Sequence, residues 1–554
     1  MRRRALATAA ITCSLVGAGL LVLAYSAGDE PAPVSGPRPP VVLIAFDEFP
    51  VDAMRMPDGR IDPERFPNFA RLSRQATWWP NAMAAHDSTP RALPAILDGR
   101  RPREEAPATV EGHPGSVFTL FGERGYELFA VEEATDICPP EYCPGAAERR
   151  FGILQNLTRN GRERRLQDWV DTIRGRSRPA FYFKHVLLPH LPWIYLPSGR
   201  HFEPSVGTLA ATDGFHDPGL TAHNQQRLLL QIGYVDRQLG RLVRRMKREG
   251  IYDEALIALT ADHGTSFEVG VSDRRKLTNQ NVDEVAPVPF FVKAPGQRKG
   301  GIEPALVSTV DVVPTITDVL DIEAGWPVEG VSGFSAQARE RRRVRVPRRY
   351  FDGFVRIGLR ALERRRQANI ARRTRLFGTG PDSLRRYGEP FAGLYRGGPH
   401  GWMVGRSATA FPIEQGRVRG AFSLPHLWRH VEPRAKVVPV QAAGHVLGAP
   451  PEATRGVAVA VAGRIEATGR TFHLRGPDKG EIFSMMVPER SLRRGHNSVR
   501  LYELVGTGAT VALRALASER RPPVLSGQCL PPAYRAPRPS SGWSRSAGCL
   551  IAKR

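Results

Sequence analysis

Two apolar runs, each ending on a carboxylate, constrain this chain more than any other feature. Val41-Val42-Leu43-Ile44-Ala45-Phe46 is continuous and partly β-branched, and it stops at Asp47-Glu48. Leu256-Ile257-Ala258-Leu259-Thr260-Ala261 repeats the pattern and delivers Asp262-His263-Gly264. Runs without polar alternation are what strands buried on both faces of a parallel sheet look like. Polar residues at their C-terminal ends stand where an open α/β sheet places its ligands. Other segments alternate in the same way. Ser116 to Arg124 reads as a helix stopped by Gly125, and Tyr126 to Val131 reads as a strand. Leu228, Ile232, Val235, Leu239, Leu242 and Met246 form a helical stripe within Gln225 to Glu249, closed by Gly250. Pro289 to Lys293 and Asp311 to Leu320 add a strand and a helix. The pattern predicts an α/β fold with a doubly wound, mostly parallel sheet over residues 41–335.

At 554 residues the chain exceeds what one core organises, and further segments are distinct. Residues 1–27 hold Arg2, Arg3 and Arg4 before an apolar run from Ala5 to Tyr25. A run of about twenty apolar residues crosses a bilayer as a helix. The basic flank stays in the cytoplasm and the rest is exported. The expected state is a membrane anchor with the protein on the extracytoplasmic face; cleavage near Ala24-Tyr25-Ser26-Ala27 would give a secreted protein instead. Residues 28–40 are a Pro- and Gly-rich tether. Residues 336–385 read as an arginine-rich linker or basic helix, 386–520 as a smaller, mostly β accessory domain, and 521–554 as a tail. Cys138 and Cys143 can close a local loop in an oxidising compartment, as can Cys529 and Cys549 in the tail.

The formal charge of +24 does not point to nucleic acid, which an exported protein rarely meets. Half of it sits between Arg339 and Arg375, where fifteen arginines face three acidic residues. That segment is either a solvated basic element or a contact for anionic lipid headgroups.

Thr89-Pro90 opens an apolar, Ala-containing stretch, which reads as a helix start with Thr89 as its cap. Such a position favours an alkoxide and a bound anion, although a plain cap looks the same. Asp47, Asp262, His263 and the Thr89 oxygen together make a plausible divalent-cation site, with Glu48 as an extra ligand or supporting contact. A cation there would acidify a hydroxyl that is otherwise a poor nucleophile. Manganese, zinc, magnesium and calcium all suit such a donor set to differing degrees.

These residues resemble the alkaline phosphatase/sulfatase superfamily, in particular its lipoteichoic-acid-synthase and phosphoethanolamine-transferase-like branches. The strand ending in Asp47, the Thr89 to Pro94 stretch closing with Leu97-Asp98-Gly99, and the strand into Asp262-His263-Gly264 match the family's three metal-site blocks in order. Pro289 to Gly296 and Val310 to Thr315 resemble its later landmarks, so the resemblance covers Val41 to Gly333. It implies an alkaline-phosphatase-like fold and one divalent metal ion. It also implies a role for His190, in its Pro-His-x-Pro setting, in contacting substrate or protonating the leaving group. His185 is a candidate to assist, and Arg275 or Lys276 to clamp anionic oxygens. Formylglycine sulfatases carry Cys or Ser where Thr89 stands, and Thr cannot be converted. The resemblance therefore implies a phosphotransferase or phosphodiesterase acting on anionic lipid or envelope glycan through a phospho-threonine. The alternatives are a sulfatase-like sulfuric or phosphoric ester hydrolase and a catalytically silent envelope scaffold.

Overall fold

The computed structural model describes residues 38–144, 155–156, 161–203, 215–271, 273–450, 453–474 and 480–518. The expected anchor, most of the tether, and the tail with Cys529 and Cys549 lie outside them. Among the described residues no helix is long and apolar enough to cross a membrane.

In chain order the first strands are β1 (Val41–Asp47), β2 (Thr77–Trp78), β3 (Ala82–Met83), β4 (Glu127–Val131), β5 (Ala180–Pro189), β6 (Leu256–Ala261), β7 (Phe290–Lys293), β8 (Gly301–Ile302) and β9 (Val307–Ser308). Seven of them form one sheet in the order β4-β5-β1-β6-β7-β2-β8, and β3 pairs with β9 separately. Neighbours from β4 to β6 run parallel, whereas β7 is antiparallel to both β6 and β2. The sheet is thus mostly parallel, as its unbroken apolar runs predict. Every position of β1, β5 and β6 is buried, so layers cover both faces. Each such side chain, Leu43 or Ile44 for example, contributes about 1.5–3 kcal/mol by leaving water.

The helix expected from Gln225 begins earlier and spans Pro218–Arg248, because Asp217 caps it by accepting from the Gly219 and Leu220 N–H groups. The helix over Thr89–Asp98 stops at Gly99, whose φ of +69° is a left-handed cap. A Cβ at Gly99 would also meet Val328 at 3.2 Å. Cys138 and Cys143 are disulfide-bonded.

The arginine-rich segment is folded onto the α/β domain. It forms a hairpin of β10 (Arg343–Pro347) and β11 (Phe354–Gly358), then a helix over Leu359–Phe377. Arg366 on that helix is fully buried and pairs with Asp52 at 2.7 Å, while donating to Asn81 and to the Pro80 carbonyl. Arg373 donates to the Asp52 and Arg55 carbonyls. Arg339 pairs with Glu303, Arg341 with Asp311, Arg365 with Asp283, and Arg372 with Glu268 and Glu284.

Beyond it, the chain forms one eight-stranded sheet from β12 (Ile413–Phe422), β13 (Gln441–Leu447), β14 (Gly456–Val461), β15 (Arg464–Arg470), β16 (Phe472–His473), β17 (Glu481–Met486), β18 (Val499–Val505) and β19 (Ala512–Ser518). Its order is β15-β14-β18-β19-β12-β13-β17-β16, antiparallel except where β12 meets β19. This mostly β part rests on the Pro218–Arg248 helix, where Ser484 and His223 meet at 2.8 Å.

Candidate active site

The register of the central strands builds the site. Phe46 of β1 pairs with Ala261 of β6, so Asp47 and Asp262 leave neighbouring strands at one level. His185 stands on β5, on the other side of β1, opposite Ala45. One ligand atom from each of Asp47, His185 and Asp262 lies within 4.8 Å of the others, and all three residues are buried. Asp262 Oδ1 accepts the Glu48 N–H at 3.0 Å and the His263 N–H at 2.6 Å. Those bonds fix the carboxylate and leave Oδ2 without a donor. Neither oxygen of Asp47 has a donor, and neither nitrogen of His185 has a partner.

His263 lies beside this cluster. Its Nδ1 is 2.8 Å from the Gly264 carbonyl, which places the ring proton there. Nε2 keeps its lone pair, unpartnered and 3.6 Å from Asp262 Oδ2. Gly264 has to be glycine for this turn, since a Cβ would sit 2.5 Å from the Glu284 carbonyl. Several buried acceptors therefore converge, and none of the Asp47, His185 and Asp262 Oδ2 atoms that face the cluster is hydrogen-bonded. Burial and the neighbouring Asp262 and Glu48 push the Asp47 carboxyl well above its ordinary range. Burial pushes the His185 imidazole down to about 4. Such a donor set fits a divalent cation, which supplies the charge these atoms lack.

Glu48 is not brought into that cluster. Its φ of +61° turns the chain, and its carboxylate takes a two-point ion pair from Arg274 at 2.6 and 2.9 Å. Burial raises its pKa, but Arg274 and His190 outweigh burial and hold it well below the carboxylate range. His190 Nε2 lies 3.2 Å from Glu48 Oε2, and its Nδ1 lies 2.7 Å from the Leu191 carbonyl. Burial disfavours the imidazolium and pushes its pKa down to about 3, while Glu48 pulls the other way.

Thr89 is the first residue of its helix, and Ser88, in extended conformation, occupies the cap position expected for Thr89. Thr89 is buried, and its helix packs against β1. Burial pushes the His86 imidazole, in the loop that leads to Thr89, down to about 4, and the charge of His263 acts in the same direction. Asp87 fastens the loop by accepting the Leu277 N–H at 2.6 Å. Arg349 from the β10–β11 turn adds bonds to Asp87 and a 2.7 Å pair with Asp273, and Phe351 stacks on His86 at 5.1 Å.

Arg275 lies where its charge favours ionised Asp47 and Glu48, and its Nε is buried without a partner. Lys276 is exposed, with Nζ 5.5 Å from the Tyr350 ring. Sequence reading missed the residues that hold His190. Gln231 donates to the Pro189 and His190 carbonyls and accepts from the Ile194 N–H, while Arg162 donates to the Leu187, His190 and Pro192 carbonyls. Backbone partners leave no mark in a sequence; only the polar positions within an apolar stripe hint at them.

The sulfatase family model matches residues 39–322, just over half of the chain. The chain belongs to the sulfatase family. The match spans β1, β5 and β6, the elements that carry the cluster, as well as the Thr89 helix, and members of this family bind a divalent metal. The chain is 22% identical over 249 residues to a lipoteichoic acid synthase of Staphylococcus saprophyticus, covering 43% of this chain and 33% of that protein. It is 30% identical over 98 residues to an ulvan-active sulfatase of Formosa agariphila, covering 17% and 19%. The chain thus spans a third or less of the curated relatives it matches. Similar solved structures include a phosphonate monoester hydrolase of Agrobacterium radiobacter (15% identity, 53% and 76% covered, TM-score 0.39). Another is a protein solved with D-glucosamine-2-N,6-O-disulfate (15% identity, 61% and 95% covered, TM-score 0.43).

Proposed function

We propose that this sulfatase-family enzyme is a metal-dependent phosphotransferase or phosphodiesterase that works through Thr89. The observation that carries the proposal is the buried convergence of Asp47, His185 and Asp262 atoms without hydrogen-bond partners, with the His263 lone pair beside it. These residues would hold the cation, and two imidazoles in the set favour manganese or zinc over magnesium or calcium. Bound there, a divalent cation supplies the positive charge that lowers a hydroxyl pKa and offsets charge on ester oxygens.

The chain's own groups do the rest. Thr89 Oγ1 forms a bond to phosphorus as its proton passes to the free lone pair of a neutral imidazole, the ester P–O bond breaks, and the leaving oxygen takes that proton from the imidazolium. His190 Nε2, held by Gln231 and Arg162, is the group that carries that proton. An acceptor hydroxyl or water then attacks phosphorus and releases Thr89. The helix N-terminus at Thr89 favours the anionic states of both steps. Arg275, with an unpartnered buried Nε, steadies the anionic oxygens.

The substrate in this reading is an anionic lipid or envelope glycan, met at the outer face of a membrane to which residues 1–27 anchor the chain. Support comes from the basic-then-apolar N-terminus and from the hairpin's outward face. There Arg343, Arg345 and Arg356 are exposed beside Phe354 and Tyr350, which are 40% and 67% exposed. A membrane-facing patch combines such cations and rings.

The test is incubation of purified protein with an aryl phosphodiester and an aryl sulfate, followed by peptide mapping and elemental analysis. Phospho-threonine at position 89 with one equivalent of divalent metal is expected. Turnover that survives Thr89→Ala, or full-length protein without stoichiometric metal, refutes the proposal.

A further inference from the structure

The face of the Pro218–Arg248 helix that holds His190 carries a second, oppositely charged feature. Asn224, Arg227 and Gln231 recur at steps of three and four and so share that face. Gln231 grips the His190 segment, and Arg227 lies one turn before it. Arg227 is 1% exposed, and among the described residues its guanidinium has no carboxylate partner. Nη2 donates to Asn224 Oδ1, whereas Nε and Nη1 have no acceptor. Asn224 Nδ2 and the Trp193 Nε1 are also buried without acceptors. The guanidinium lies 5.8 Å from the Trp193 ring centre, and Arg274, which grips Glu48, lies 6.0 Å from the same ring.

Four buried donor nitrogens thus gather on three residues with no acceptor to serve them. A buried cation without a counter-charge is strongly unfavourable, and an aromatic ring offsets only part of that cost. Burial lowers the Arg227 pKa to about 9, so the group stays charged at neutral pH. Water would satisfy some of the N–H groups but would not balance the charge. An oxyanion does both, because it brings negative charge and several acceptor lone pairs at once.

We propose that Arg227, Asn224 and Trp193 form a subsite for an oxyanion such as phosphate or sulfate, on the helix face that holds the His190 segment. The site does not need Thr89 or the metal to take a free anion. Where the group belongs to the substrate, the inference rests on the ester-transfer reading above, and the enzyme then prefers substrates that carry a second anionic group.

The test uses the full chain and inorganic phosphate or sulfate as the probe. Thermal melts of Thr89→Ala protein, with divalent metal and with EDTA, should show a saturable rise in Tm on adding phosphate that persists in EDTA. Adding Arg227→Met, which keeps the length of the side chain and removes the charge, should abolish the rise that persists in EDTA. It should also raise the anion-free Tm, because an uncompensated charge is gone. A second arm compares KM for a mono-anionic aryl phosphodiester with that for one bearing an added phosphate. Arg227→Met should raise the second KM about tenfold more than the first if the group is the substrate's; equal ratios with loss of the Tm response assign the site to the free anion. No phosphate response in EDTA, or an undiminished response in Arg227→Met, overturns the subsite whether or not the enzyme turns over.

Discussion

Replacing Asp47 by Asn tests the acceptor cluster by stability alone. Ligand atoms of Asp47 and Asp262 lie within 4.8 Å of each other. Two unit charges at that distance repel by about 3.5 kcal/mol at an effective dielectric constant of ~20. Carboxylate charge is shared over two oxygens and the Glu48 and His263 N–H groups draw on Asp262, so a gain of about 1–3 kcal/mol is expected in chelator. The new Asn amide can also donate to the orphan Asp262 Oδ2. The pH dependence has a definite sign. Asp47 binds its proton more tightly in the folded chain than its ordinary value of 3.8, so its contribution is fully present below that value and is lost as pH rises through the folded pKa. In EDTA the stability gap between Asp47→Asn and wild type should therefore widen from pH 4 to pH 7.5. With manganese at about a hundred times its Kd, wild type should gain about 2.7 kcal/mol and the variant little. Urea and thermal melts in EDTA and in excess manganese measure all three quantities. A variant less stable than wild type in EDTA, or equally stabilised by manganese, would show that these carboxylates do not share a cation.

Three further outcomes follow from the packing. Thr89→Ala should lower phosphodiester turnover by on the order of 10³-fold or more, with Thr89→Ser retaining part of it, as stopped assays on both variants will read. Arg366→Met should cost about 3 kcal/mol in urea melts by leaving Asp52 buried with Arg55 as its remaining partner, and Asp52→Asn on that background should recover much of the loss. Burial raises the Glu284 carboxyl from 4.5 to about 7 despite Ser266 and Arg372, so its contribution is fully present below pH 4.5 and fades as pH rises through 7. That change is worth about 3 kcal/mol, and Glu284→Gln should flatten the stability profile between pH 5 and pH 8.5.

The parts of this structure that were legible in the sequence are those governed by local pattern. Val41 to Phe46 and Leu256 to Ala261 had to be buried strands because neither run offers a polar face, and their register carries Asp47 and Asp262 to one level. His185 was harder to place. Within Phe181 to Leu188 it reads as one polar interruption of a core strand, and only the order β5-β1-β6 brings it to Asp47. Glu48 read as an extra ligand or a supporting contact by adjacency; its N–H does support Asp262, while its carboxylate is taken by Arg274, 226 residues away. The arginine segment was opaque for the same reason. Its carboxylates, Asp52, Asp283, Glu303 and Asp311, are scattered through the α/β domain. A run of like charges reads as solvated until its counter-charges are found.

Two sets of unsatisfied buried groups lie around the site, and the ionisable groups among them are the strongest argument for chemistry on charged species. Around the ends of β1, β5 and β6 they are the Asp47 and Asp262 oxygens and imidazole nitrogens, together with the Thr260 and Thr265 hydroxyls and Arg275 Nε. Around Arg227 they are N–H donors, with His223 Nδ1 on the preceding turn. Carboxylate oxygens without donors and a guanidinium without a counter-charge are the costliest groups a core can leave unpaired. Here the Glu48–Arg274 pair stands between the two sets, with its carboxylate toward Asp47 and His190 and its guanidinium near Trp193. That pair is internally neutral, so it screens neither set and leaves each to be balanced from outside. One region asks for a cation and the other for an anion, on either side of the Glu48–Arg274 pair. An enzyme that binds a metal ion and an anionic ester has use for both, whereas a scaffold that only kept the fold would gain stability by losing either.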